Sequence, residues 1–133
     1  MKKLLLAMLL FVISIVDAQL TITTNLREDG VWNKEKMIWN ITSTEEGLTV
    51  FNFDKNLSSF RHITNSISSV YTIKDWDYDE KEVLYEMQVR SDAGNDYDFM
   101  VDGVNELVIF FYYDDQENFR MVRHTIKETN FQE

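Results

Sequence analysis

Apolar and polar residues alternate along several stretches of this chain, and this alternation constrains the fold more than any other feature. In the stretch 82–90 the alternate apolar positions are Val83, Tyr85, Met87 and Val89. Stretches 96–101 and 36–43 have the same period of two. Successive side chains of a β-strand point to opposite faces, so this period predicts strands with one buried face.

Turn signals separate these stretches about every ten residues, as is typical of antiparallel β folds. Each of the four glycines has an acidic residue or Asn beside it, in residues 29–30, 46–47, 94–95 and 102–103, and we expect a turn at each. The predicted strands are 20–25, 36–43, 48–54, 59–64, 68–77, 82–90, 96–101, 106–113 and 119–126. Segment 56–69 also fits a short helix, because its apolar residues have helical spacing.

The stretch Leu107–Tyr113 is apolar throughout, which favours a central strand covered on both faces. The chain has no cysteine, so packing of its three Trp, six Tyr and nine Phe must replace the disulfides of many exported domains. We therefore predict an all-β fold for residues 19–133, a single domain. Its form is an antiparallel meander barrel or sandwich of about eight strands.

The first residues predict export. Lys2 and Lys3 precede an apolar run from Leu4 to Val16, and Ala18 offers a small residue before a cleavage site. The run has 13 residues, whereas a membrane-spanning helix needs roughly 20. Residues 1–18 are thus predicted to be a signal peptide, which gives a secreted or periplasmic protein with no membrane insertion after cleavage.

The net charge limits the partners. The whole chain carries −10, and loss of Lys2, Lys3 and Asp17 with the leader removes a net +1, which leaves −11. Such an acidic surface repels phosphate backbones, so we expect no nucleic-acid partner.

The strongest metal-like pattern is acidic. Asp75, Asp77, Asp79 and Glu86 fall at positions 1, 3, 5 and 12 of a twelve-residue window, as in a calcium-binding loop. The glycine expected at position 6 is Glu80, and no flanking helices are predicted. Calcium bound by Asp75, Asp77 and Asp79 is one interpretation. The other is a solvated hairpin end whose charges deter edge pairing.

Catalytic patterns are poorly represented. His62 and His124 are the only histidines, and a zinc site would need both of them plus carboxylates brought together by the fold. The other interpretation is two hydrogen-bonded, surface or half-buried imidazoles. A basic cluster at Arg120, Arg123, His124 and Lys127 suggests either charge balance or contact with a small anion. We predict no enzymatic activity.

Two resemblances follow from short motifs. Residues 17–19, 60–64 (FRHIT) and 89–95 (VRSDAGN) are similar to uncharacterised small secreted β proteins of Bacteroidetes-type bacteria, which bring no known activity. Gly30-Val31-Trp32 resembles the G-x-W start of lipocalins. That resemblance implies an eight-stranded barrel closed at one end by Trp32, with Arg120 or Arg123 packed on its ring.

The export signal and the lack of a catalytic pattern together predict an exported, non-enzymatic binding or interaction module. Its partner is an unknown protein or small molecule, and its oligomeric state stays open. One alternative is a lipocalin-like carrier of a small apolar ligand, which needs an enclosed cavity of roughly 300–1,000 Å³. The other is a calcium-stabilised extracellular module. Calcium is the one cofactor that the sequence suggests.

Overall fold

The computed structural model describes residues 18–131, and in this part of the chain all the regular elements are β-strands. The strands are β1 Ala18–Asn33, β2 Ile38–Asp54, β3 Ser59–Ile63, β4 Ser68–Asp79, β5 Leu84–Ser91, β6 Asp96–Asp102, β7 Leu107–Tyr113 and β8 Phe119–Phe131. Each strand pairs with the next one in antiparallel fashion, and β8 pairs with β1, so the sheet closes into a barrel. The predicted all-β meander is confirmed, and the barrel is selected over the sandwich.

Most of the predicted signal peptide lies outside the described residues. Of residues 1–18, only Ala18 belongs to the described part of the chain, where it is the first residue of β1. Residues 18–131 contain no apolar helix of membrane-spanning length. Export therefore stays a prediction from the sequence.

The first two strands form a hairpin that is longer than predicted. The stretches predicted as strands 36–43 and 48–54 belong to one strand, β2, and β1 runs on to Asn33 instead of ending near residue 25. The turns predicted at Gly30 and Gly47 were therefore wrong, whereas those at Gly94 and Gly103 are confirmed.

A bulge at Gly47 and a close contact at Gly30 explain the two glycines inside strands. Gly47 has φ of 153° and lies where the β1–β2 register shifts, so its conformational freedom serves a bulge. At Gly30 a Cβ atom would come within 3.0 Å of Met121 Cε and 3.3 Å of the Asn40 carbonyl oxygen. A glycine in a strand can thus mark close approach of a neighbour as well as a turn.

Phenylalanine rings fill one half of the barrel interior. Phe60 lies 4.9 Å from Phe53 and 4.7 Å from Phe99 between ring centroids, and Phe99 lies 4.8 Å from Phe110. All four side chains are buried. The alternation predicted for β6 is confirmed, because Phe99 and Val101 are buried and their neighbours in the strand are more exposed. Segment 56–69 contains β3 and not a helix.

A second aromatic cluster lies on the outer face of the barrel. Trp39 in β2 lies 5.2 Å from Trp32, 6.0 Å from Phe111 in β7 and 5.4 Å from Phe119 in β8. These contacts hold the tip of the β1–β2 hairpin against the barrel wall. They also cover part of the outer face of β7, whose last residue Tyr113 is nonetheless exposed. The prediction that β7 is covered on both faces holds only for part of its length.

Replacing Trp39 with Ala is expected to lower the free energy of unfolding by about 1–2 kcal/mol, because a half-buried indole loses its aromatic contacts. Amide hydrogen exchange should accelerate in residues 32–41 more than in β6, since the hairpin tip is held mainly by this cluster. The control is Met37→Ala, whose side chain is 69% exposed in the same hairpin. Equal exchange in the two variants would contradict the anchoring role of Trp39.

Candidate functional site

The barrel interior becomes more polar toward one end. In an up-and-down barrel, the end of β3, the start of β6 and the end of β7 lie at the same end. In each of these strands, a buried phenylalanine is followed two residues nearer that end by an inward-facing side chain with a polar group. These pairs are Phe60 and His62 in β3, Phe99 and Tyr97 in β6, and Phe110 and Tyr112 in β7.

These side chains line an interior cavity of about 220 Å³ that is partly open to solvent at this end of the barrel. Its wall also includes Tyr71 from β4, Arg27 from β1 and His124 from β8. Arg27 and His124 are direct partners in the β1–β8 register, so their side chains emerge on the same, inner face. Two histidines, three tyrosines and one arginine therefore face one small space.

The two histidines meet inside the barrel although they are far apart in the sequence. Their ring centroids are 6.0 Å apart, with the rings inclined at 77°. His62 stacks on Phe51 at 4.9 Å, and His124 meets the same Phe51 ring edge-on at 5.2 Å. Phe51 thus separates the filled half of the interior from the imidazoles and fixes both ring positions.

Three nitrogens of these imidazoles are buried and form no hydrogen bond with any residue from 18 to 131. They are Nε2 of His62 and both Nδ1 and Nε2 of His124, whose side chain is 1% exposed. Leaving a buried polar group without a partner costs about 1–3 kcal/mol. Such groups are rare in native structures. These nitrogens therefore mark a site where a further hydrogen-bond partner is expected.

Burial keeps both imidazoles neutral. Desolvation, with smaller contributions from the nearby His62 and Arg27 and against an opposing effect of Asp29, lowers the pKa of His124 to about 3. Desolvation also lowers the pKa of His62, again with a contribution from Arg27. A neutral imidazole has one N–H donor and one lone-pair acceptor, so both rings can donate and accept hydrogen bonds.

Three other ionisable residues of the wall, Arg27, Tyr71 and Tyr112, are paired or neutral. Arg27 Nε donates to Asp29 Oδ1 at 2.8 Å, and a second guanidinium nitrogen donates to Oδ2 at 3.2 Å. Desolvation raises the pKa of Tyr71 to about 12 and raises the pKa of Tyr112, so both phenols keep their protons near neutral pH. The cavity has a polar lining without an unpaired charge.

The residues of the basic cluster near the C-terminus have different partners. Arg120 Nε donates to Asp114 Oδ2 at 2.6 Å, and Arg123 binds Glu28 at 2.9 Å. Charge balance therefore describes these two arginines, whereas His124 turns into the barrel. Trp32, at the G-x-W motif, packs edge-on against Trp39.

The acidic residues proposed as calcium ligands lie elsewhere, on β4. Asp75 and Asp77 are exposed, opposite Gln88 and Glu86 of β5. Asp79 Oδ1 accepts hydrogen bonds from the turn amides of Lys81 and Glu82 at 3.0 and 3.2 Å. No group of three or more His, Asp or Glu side chains in the described residues is arranged to hold a metal ion. The calcium site stays a prediction from the sequence.

A larger concavity of about 500 Å³ lies on the outer face of the barrel. Exposed carboxylates of Asp75, Asp77 and Asp98 border it, and Phe111 and Phe119 contribute its apolar part. None of its described lining atoms is a buried polar group without a partner, unlike the histidine nitrogens beside the barrel interior. The interior cavity is therefore the better candidate despite its smaller volume.

Sequence reasoning identified His62 and His124 but not their convergence, and it missed Arg27, Tyr71 and Tyr112. A sequence signal for the wall was available, namely an aromatic residue with a polar group two positions from a core phenylalanine in the same strand. Comparison with protein-family models, with curated proteins and with solved structures gave no match to this chain.

Proposed function

We propose that this protein is an exported, non-enzymatic binding module that holds one small polar molecule inside its barrel. The observation that carries the proposal is the set of three buried, unpartnered imidazole nitrogens of His62 and His124, two of the residues that line a cavity of about 220 Å³. Eight-stranded barrels have interiors just wide enough to be filled by side chains or to hold one small ligand. This interior is filled by phenylalanines in one half and polar in the other.

A polar ligand fits this cavity better than the apolar ligand of a lipocalin-like carrier. The volume lies below the roughly 300–1,000 Å³ of ordinary ligand pockets. An apolar molecule would also leave the imidazole nitrogens without hydrogen bonds, at a cost of about 1–3 kcal/mol for each group. A molecule that bonds to them removes that cost, which favours retention of a specific polar ligand.

Binding is also favoured over catalysis by the groups in the wall. The described residues that line the cavity include no serine, threonine or cysteine as a nucleophile. A general base works best with a pKa near the operating pH, and the pKa of His124 is about 3. The carboxylate of Asp29 is held by Arg27. These features support a receptor or carrier that does not turn its ligand over.

The predicted export and the negative net charge also support the proposal. A leader over residues 1–18 would deliver the mature chain to the periplasm or the exterior, where a net charge of −11 favours small-molecule or protein partners over nucleic acids. In this setting the binding module would carry or sense its ligand outside the cytoplasm.

Native mass spectrometry of protein exported by cells and purified without unfolding tests this function. We expect the protein mass plus that of one small molecule, with the excess lost on denaturation. His124→Leu should reduce the occupied fraction because it removes two of the three unpartnered nitrogens, whereas Asp98→Asn on the outer concavity should leave it unchanged. A bare protein mass, or equal occupancy in His124→Leu, would contradict the proposal.

A further inference from the structure

The second strand of the barrel has a long free edge. Strand β2 pairs with β1 along its length, but it pairs with β3 only from Val50 to Phe53. The edge of β2 that faces away from β1 therefore has no strand partner from Ile38 to Leu48 among residues 18–131. An antiparallel strand directs its backbone N–H and C=O groups to both sides, so this edge presents unpaired groups that another strand can bind.

The free edge is held in place by the elements behind it. In the β1–β2 hairpin, Val31 of β1 pairs with Asn40 on one side and with Arg120 of β8 on the other. On the outer face, Trp39 packs against Phe111 of β7. The edge is thus already ordered, and an ordered edge loses little conformational freedom when a strand is added to it.

Two irregularities limit the length that an added strand can follow. The β1–β2 register shifts between Thr24 and Leu26 and again between Asp29 and Gly30. Between these shifts, the four residues Ser43–Glu46 pair regularly with β1, and all four are exposed. Bulges protect a strand edge from extended edge-to-edge pairing. This edge therefore fits a short extended segment better than a long one.

The charge of the short edge indicates the chemistry of its partner. Glu45 and Glu46 form no ion pair with any residue from 18 to 131, and Arg27, which lies opposite Glu45 in the register, binds Asp29 instead. Stretch 38–48 contains no lysine or arginine. Opposite charges across a strand pair are stabilising and like charges are destabilising, so a basic segment is favoured. A second copy is disfavoured, because the whole chain carries a net charge of −10.

We propose that the free edge Ser43–Glu46 of β2 binds a short, extended, basic segment of a partner protein by strand addition. The backbone groups of the edge hold the main chain of the segment, and Glu45 and Glu46 select lysine or arginine at two successive positions. The edge is a different surface from the interior cavity, so this proposal does not rest on the ligand proposed for that cavity.

End-blocked octapeptides of alternating valine and threonine test the proposal on the exported protein. One peptide has two adjacent lysines at its centre, and the other has two glutamates there. Amide hydrogen exchange and backbone NMR shifts of the protein are followed during titration. We expect the lysine peptide to slow amide exchange within residues 43–46 and to bind about tenfold more tightly than the glutamate peptide.

A methylated peptide tests whether the main chain of the segment forms the contact. N-methylation of the four central amides of the lysine peptide removes the donors on both of its edges but keeps both lysines. Binding should weaken by at least about tenfold, because strand addition needs these donors. Undiminished binding of the methylated peptide would show a purely ionic contact and would overturn strand addition.

Charge-reversal variants locate the edge. Glu45→Lys combined with Glu46→Lys should reverse the preference, so that the glutamate peptide binds more tightly. Glu80→Lys combined with Glu82→Lys, at exposed positions in the β4–β5 turn, makes the same change in net charge and should keep the preference for lysine. Absence of binding by the lysine peptide, or protection confined to other strands, contradicts the proposal. A dimer mass without peptide, with residues 43–46 protected, also contradicts it and assigns the edge to a second copy.

Discussion

Replacing Phe51 with Ala is expected to lower the free energy of unfolding by about 3–5 kcal/mol, the largest effect of any single substitution proposed for this barrel. Phe51 is 0% exposed. Its ring centroid lies 6.1 Å from Phe60, 4.9 Å from His62 and 5.2 Å from His124, so it contacts both the packed half of the interior and the cavity wall. Truncation would remove buried apolar contacts and join a new void to the existing cavity.

Urea unfolding followed by tryptophan fluorescence measures this loss. The matched control is Tyr113→Ala, an aromatic truncation at a side chain that is 70% exposed on the outer face, for which a loss below about 1 kcal/mol is expected. The Phe51 variant should also bind the cavity ligand less tightly, because the imidazoles lose their common support. Similar losses of stability in the two variants would show that Phe51 does not sit at the centre of the packing.

Acidification from about pH 7.5 to about pH 5 is expected to cost the barrel about 2 kcal/mol of stability through His124 alone. The pKa of this imidazole is about 3 in the folded protein and near 6.5 when exposed. At pH 5 the unfolded chain therefore binds a proton that the folded chain does not. The stability is present above pH 6.5 and is lost as the pH falls toward 3. The lowered pKa of His62 acts in the same direction.

The measurement is the free energy of unfolding at several pH values in the wild-type protein and in His124→Leu. The window from pH 7.5 to 5 is informative because the carboxyl groups with a lowered pKa, such as Asp114 with a pKa of about 2, titrate below it. Most of the decline should disappear in the variant, and ligand-free His124→Leu should exceed the wild type in stability at pH 5. Parallel pH profiles of the two proteins would contradict a buried, neutral His124.

The alternation of apolar and polar residues was sufficient to predict much of the barrel wall. The period of two in 82–90 and 96–101 corresponds to β5 and β6, with Met87, Val89 and Phe99 buried. It failed for the β1–β2 hairpin, because the conformational freedom of glycine at Gly47 serves a bulge and not a turn. Whether a glycine forms a bulge or a turn depends on the register and close contacts with the neighbouring strand.

The candidate site was much less predictable. His62 and His124 carry no spacing motif, and their approach depends on how the closed sheet places β3 and β8 around one interior. Whether a semi-buried imidazole finds a hydrogen-bond partner also depends on side chains from several strands. The expectation of hydrogen-bonded histidines was therefore wrong for His124, whose inner neighbours are mostly aromatic rings.

A crystal structure of the exported protein, purified without unfolding, would show whether the barrel holds a ligand. We expect ordered density for one small molecule larger than water in the cavity between His62, His124 and Tyr97, within hydrogen-bonding distance of an imidazole nitrogen. Imidazole nitrogens bonded to other protein groups, or a cavity closed by side chains or filled by water alone, would contradict it.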